Sequence, residues 1–196
     1  QAMTTFVLAL IRETFGVDTD QTTVRPDERL VLLHTPDGIP DIIQQIVHGV
    51  EALLAGYRAI GHSLAGIIEG SLQQYVHLGD ASTMTDNRIY DPTLGPGGVV
   101  GERSGTMDDR WAFTGHDTGL EYRVATALAA AGRVLRGHED ALADECLETA
   151  VGIWEYEQAH EPVAQRSAYV PGRPDVQEVL AAAELLITTG EERYRF

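Results

Sequence analysis

Lysine is missing altogether. All 14 basic residues are arginine, set against 30 aspartates and glutamates, for a formal net charge of −16. A chain so acidic has no basic footprint with which to displace counterions from nucleic acid, and none to hold anionic lipid. Nucleic acid and membrane surfaces are therefore excluded as expected partners, and a neutral substrate such as a sugar is compatible with the charge. Cysteine is reduced to Cys146, which rules out an internal disulfide and a cysteine-based zinc site. Its setting in Asp144-Glu145-Cys146-Leu147 is one that raises a thiol pKa, so a buried, inert thiol is expected. No apolar run approaches the ~18 residues of a membrane span. A signal peptide is lacking, and so are a G-x-S-x-G elbow, a phosphate loop and an EF-hand pattern. The chain opens directly on an apolar periodic segment without a cap, which reads as a start inside a longer protein.

What is present is helical periodicity. The 196 residues are 43% hydrophobic, enough for a sizeable core in one domain spanning 1–196. Met3, Phe6, Val7, Leu10 and Ile11 predict a helix over about 2–15, stopped near Gly16. A polar stretch from Asp18 to Glu28 follows. Pro40 stands where a first turn tolerates proline, ahead of Ile42, Ile43, Ile46, Val47, Val50, Leu53 and Leu54, which predict a helix over about 40–59. Residues 61–116 hold half of the 20 glycines and keep no helical period. They read as a long loop with short strands near Ile67-Ile68 and Gln74–Leu78, and a loop of that length is usually functional. Leu120, Val124, Leu128, Ala131 and Leu135 then mark a third helix with alanine on several faces. Asp117 or Thr118 is its expected N-cap and Gly137 its stop. Further helices are expected over about 140–159 and from Val176 to Ile187, the last closed by Gly190. The class is all-α, built of helical hairpins.

Several stretches, taken in order, resemble glycoside hydrolase family 9. Gly38-Ile39-Pro40-Asp41-Ile42-Ile43 before an amphipathic helix is similar to its G-x-P-D-L-L segment. Gln74-Tyr75-Val76-His77-Leu78-Gly79-Asp80 resembles Y-V-Q-V-G-D. Ala125–Leu135 is similar to an alanine-rich family helix, and Glu145–Ala150 with Trp154 to C-L-x-A-A-x-x-A-W. Gln177–Leu185 with Thr189-Gly190-Glu191 and Tyr194 looks like D-E-L-L-W-A-A-A-E-L-Y-L-A-T-G-D-x-x-Y. The resemblance implies part of an (α/α)6 toroid that inverts at the anomeric carbon of a β-glucan, with 61–116 forming part of the cleft. It implies a polysaccharide or oligosaccharide substrate, the remainder of the same catalytic domain as a partner, and a secreted or periplasmic location.

An inverting hydrolase needs two carboxyl groups about 6.5–9.5 Å apart. The resemblance places the base in a D-A-G-D motif ahead of Met3 and the acid in an N-E motif beyond Phe196. Neither occurs here, so the isolated chain is expected to be inactive, and its incomplete ring to expose apolar faces. A non-catalytic glycan- or protein-binding helical module and another α/α-toroid enzyme such as a polysaccharide lyase are the other readings.

Candidate sugar contacts are His77, Asp86, Asn87, Arg110 and Trp111. His77 can donate to a hydroxyl, or be an ordinary loop histidine. Asp86 and Asn87 can bind sugar, with Asn87 where the family has a histidine, or simply serve a turn. Trp111, beside Asp108, Asp109 and Arg110, can stack on a pyranose face or anchor the loop. Asp108-Asp109 reads as a solvated pair rather than an acid/base couple. His116-Asp117 and His138-Glu139-Asp140 lack metal-ligand spacing on one helix face and read as caps and turns. No cofactor is expected. For calcium, Val176 replaces a second acidic residue after Asp175, which leaves that ion unsupported.

Overall fold

The five helices form where apolar periodicity places them: α1 (Ala2–Phe15), α2 (Asp41–Ile60), α3 (Thr118–Leu135), α4 (Asp140–Ala159) and α5 (Pro174–Thr189). The computed structural model describes residues 1–28, 30–69, 86, 88–165 and 171–195, with the backbone alone for 68, 69, 110 and 111. The chain divides into two compact units, residues 1–63 with 116–196, and residues 64–115. Among the described residues no helix is long and apolar enough to cross a membrane.

In the larger unit α3 is the axis, and α1, α2, α4 and α5 all pack on it. Its sequence explains how four neighbours fit. Ala125, Ala127, Ala129, Ala130 and Ala131 are fully buried with Leu128 and Leu135. Small side chains on every face let the neighbouring backbones approach, and alanine costs nothing in helix propensity. At Gly132 a Cβ would stand 3.2 Å from the Ala143 carbonyl oxygen of α4. Against this core α2 turns Ile43, Ile46, Val50 and Leu54, all 0% exposed, each contributing about 1.5–3 kcal/mol by leaving water. Trp154 on α4 is buried between the rings of Tyr122 and Tyr194. Met3 and Val7 on α1, and Val176, Val179 and Ile187 on α5, are 41% to 64% exposed.

The polar stretch after α1 contains something periodicity did not suggest, an antiparallel hairpin of β1 (Thr22–Arg25) and β2 (Leu30–Leu33). Asp41 explains why it forms beside α2. Its Oδ1 accepts the backbone N–H groups of Gln21 and Thr22 at 3.1 and 2.9 Å. Asp20 returns the contact, accepting from the N–H groups of Asp37 and Gly38. The Gly38-Ile39-Pro40-Asp41 segment thus joins hairpin to helix, with Gly38 at φ 91°, a conformation other residues rarely adopt.

Within residues 64–115, β3 (Gly66–Glu69) pairs antiparallel with β7 (Arg110–Phe113), Ile68 opposite Trp111 and Glu69 opposite Arg110 in register. A second small sheet runs in the order β4 (Ile89–Tyr90), β6 (Arg103–Ser104), β5 (Val99–Val100). The strand expected at Gln74–Leu78 lies outside the described residues.

Candidate functional site

Where α2 ends and α3 begins, polar side chains gather in the larger unit. Gly61 closes α2 in the left-handed region, its N–H on the Tyr57 carbonyl, and His62 and Ser63 follow directly. On the other side Asp117 caps α3. Its Oδ1 accepts Leu120 N–H at 2.8 Å and its Oδ2 accepts Gln165 N–H at 2.7 Å. That fixes His116 just outside the helix and Glu121 within its first turn. The last turn of α4 adds Tyr156 and Glu157. Together Tyr57, His62, His116, Glu121, Tyr156 and Glu157 line most of a cavity of about 480 Å³.

Its electrostatics are unusual for a buried place. Glu121 is 2% exposed and Glu157 5%, and a buried carboxylate is costly unless paired and hydrogen-bonded. Glu121 Oε1 accepts the N–H of Ser63 at 3.0 Å and the Ser63 hydroxyl, while Oε2 accepts the Tyr57 hydroxyl. Glu157 Oε1 stands 2.8 Å from His116 Nε2, yet receives no well-formed hydrogen bond from any described residue. Among the described residues, no arginine ion pair reaches either carboxylate. Burial, reinforced by Glu121 and Glu157, pushes the Tyr57 phenol well above its ordinary range, so Tyr57 is a donor that keeps its proton. The His62 and His116 rings meet edge to face at 5.6 Å, and Tyr156 meets His116 at the same distance. One donor atom from each of His62, His116 and Glu121 lies within 4.8 Å of the others, a clustering that can hold a cation.

The sugar-binding candidates fall elsewhere in the chain. His77 and Asn87 lie outside the described residues. Arg110 and Trp111 are placed on β7 by their backbones. Asp86 folds its own loop: its N–H donates to Asp108 Oδ2 and its Oδ1 accepts Arg88 N–H at 2.8 Å. Its carboxyl is held below the ordinary range, first by a hydrogen bond with Ser104. Asp109 Oδ2 accepts Tyr90 N–H at 2.6 Å. Asp108 and Asp109 are half-buried loop supports, where the sequence suggested a solvated pair. The position weighed for calcium carries an ion pair. Both oxygens of Asp175 are taken by Arg173 at 2.9 and 2.7 Å, which holds the carboxyl down at about 2, and exposed Val176 offers no side-chain oxygen.

Sequence spacing assigned His116 with Asp117 to a cap. Asp117 is that cap, but His116 belongs with His62 and Glu121. The only linear signal was a histidine immediately outside each of the two helix ends, at positions 62 and 116, with a glutamate in the following first turn.

The larger unit's fold, hairpin-like helices around a central small-residue helix, is that of an arc of an α/α toroid. A metagenome-derived glycoside hydrolase family 9 endoglucanase has a structure similar to this chain, with a TM-score of 0.62 and 22% sequence identity. The match covers 98% of this chain and 31% of that one, so this chain spans under a third of the length of the enzyme it resembles. No family model matches the sequence, and no curated protein does.

Proposed function

We propose that this chain is a segment of a glycoside hydrolase that cleaves β-linked glucans or related plant polysaccharides with inversion. The observation that carries the reading is the fold likeness to a family 9 endoglucanase along 98% of the chain. The family-like motifs found in the same order in the sequence support it. In such an enzyme one carboxylic acid protonates the leaving oxygen while a carboxylate about 6.5–9.5 Å away activates water. The chain holds neither of the motifs that supply these groups in the family, so both come from other parts of the same catalytic domain. The contribution of residues 61–116 is contact with the sugar, with His77, Asp86, Asn87, Arg110 and Trp111 as the side chains to test. The location that goes with this reading is secreted or periplasmic.

The test is to determine the coding sequence on either side and assay the complete product on β-glucans, following the released anomer by NMR. Release of the α-anomer, lost on replacing an upstream aspartate or a downstream glutamate, is the expected result. Absence of both carboxylate motifs and of hydrolysis, with glycan binding retained, would replace the enzyme by a sugar-binding helical module.

A further inference from the structure

The cluster at the α2–α3 junction has no role in the hydrolytic reading and stands independently of it. We propose that His62, His116 and Glu121 bind a divalent transition-metal ion, zinc by donor chemistry, which ties together the points where the chain leaves and re-enters the helical unit.

Three observations carry this. First, the donors converge. One ligand atom from each residue lies within 4.8 Å of the others, whereas ligands of a tetrahedral zinc ion sit roughly 3.3 Å apart at metal distances near 2.0–2.1 Å. Binding requires the three donors to draw closer, by movement of the two half-buried imidazoles. Two imidazoles and one carboxylate are a set that zinc accepts and that magnesium and calcium, which take oxygen, do not favour.

Second, the outer contacts are those that orient metal ligands. A metal-bound histidine usually engages its other ring nitrogen with a carbonyl or carboxylate. His62 Nδ1 lies 2.9 Å from the Ser63 carbonyl oxygen, and His116 Nε2 lies 2.8 Å from Glu157 Oε1, near enough to engage it although not aligned for a hydrogen bond. That leaves His62 Nε2 and His116 Nδ1 as the nitrogens for a metal. Glu121 accepts from Ser63 N–H, Ser63 Oγ and Tyr57 Oη, three of the roughly four lone-pair positions of a carboxylate. One remains.

Third, the charge is unbalanced. Glu121 and Glu157 are both more than nine-tenths buried, and Glu157 Oε1 lacks an aligned donor among the described residues. A dication between the histidines and Glu121 offsets both carboxylates. Because His62 and His116 bracket residues 64–115 in the chain, the ion would close the stem of that unit, as a cross-link closes a loop.

The experiment uses the 196-residue chain stripped with chelator and titrated with Co2+ under visible spectroscopy, followed by displacement with Zn2+. One equivalent of Co2+ is expected to develop ligand-field bands that Zn2+ abolishes, with the melting temperature rising several degrees in zinc. His62→Ala and His116→Ala should each weaken binding at least about 100-fold and Glu157→Gln by about 10-fold, with exposed His138→Ala unchanged. The parent chain's own titration decides the matter should a variant fail to fold. Failure of the parent chain to take up one equivalent, or uptake unaltered in both folded histidine variants, overturns the proposal.

Discussion

Tyr57 of α2 donates its hydroxyl to Glu121 in the first turn of α3, across 64 residues of sequence. The bond joins the two helices that flank residues 64–115, and it serves a carboxylate only 2% exposed. Tyr57→Phe leaves Glu121 Oε2 without that donor, so stability at neutral pH is expected to fall by about 1–3 kcal/mol. The pH dependence has a definite sign. The folded phenol is raised above its ordinary value of 10.0. Its contribution is therefore complete below pH 10 and is lost as the pH climbs beyond it, because only the unfolded chain ionises there. Denaturant melts from pH 7 to 11 should show the gap between parent and Tyr57→Phe narrowing above pH 10. A gap that widens there would contradict the assignment.

Arg133 on α3 holds two other helices at once. Its Nε and Nη2 reach Glu13 of α1 at 2.7 and 2.9 Å, and Nη2 also reaches Glu184 of α5 at 2.7 Å. The Arg133 side chain is 16% exposed and that of Glu184 9%. Arg133→Met retains much of the stem but strands a buried carboxylate, with an expected loss of about 3 kcal/mol in urea unfolding. Adding Glu184→Gln should recover part of it, since the stranded charge is then gone.

Gly49 lies where α2 crosses α1. A Cβ there would collide with Thr5 Oγ1 and come within 3.3 and 3.4 Å of Thr5 Cβ and Cγ2. Alanine is the better helix former by about 1 kcal/mol, yet Gly49→Ala is expected to destabilise by about 1–3 kcal/mol through overpacking. Thr5→Ala in the same chain should relieve most of this. A double-mutant cycle without coupling between the two positions would show that the helices part more easily than their packing suggests.

Cys146 is fully buried on α4. Burial, with Glu145 adding to it, pushes its thiol up to about 12. A thiol reagent at neutral pH should modify it only on unfolding, at least about a hundred times more slowly in the native chain. Between the thiol's ordinary value of 9.0 and about 12 the unfolded thiol ionises while the folded one does not, so stability falls over that window. The fall should be shallower in Cys146→Ala.

The helices were legible because each signal is local. Gly16 and Gly190 end α1 and α5 in the left-handed region, at φ 62° and 72°, as the sequence suggested. Asp117 caps α3 as expected, whereas Pro174, expected in the preceding turn, opens α5 from its first turn. The β1–β2 hairpin was not legible. Its pairing depends on Asp41 and Asp20, which accept hydrogen bonds from backbone 17 to 20 residues away, and no periodicity reports such a contact.

The polar cluster was invisible for the same reason on a larger scale. His62 and His116 are 54 positions apart in the chain, Glu121 and Glu157 lie on different helices, and only the packing of α2, α3 and α4 closes them around one cavity. The helices, the Asp117 cap, the acidity and the inert thiol follow from neighbours along the chain. Tertiary structure alone decided that two carboxylates would be buried beside two histidines. That outcome depends on which helix faces meet, and the alanine-rich α3 settles it by letting all four partners approach closely.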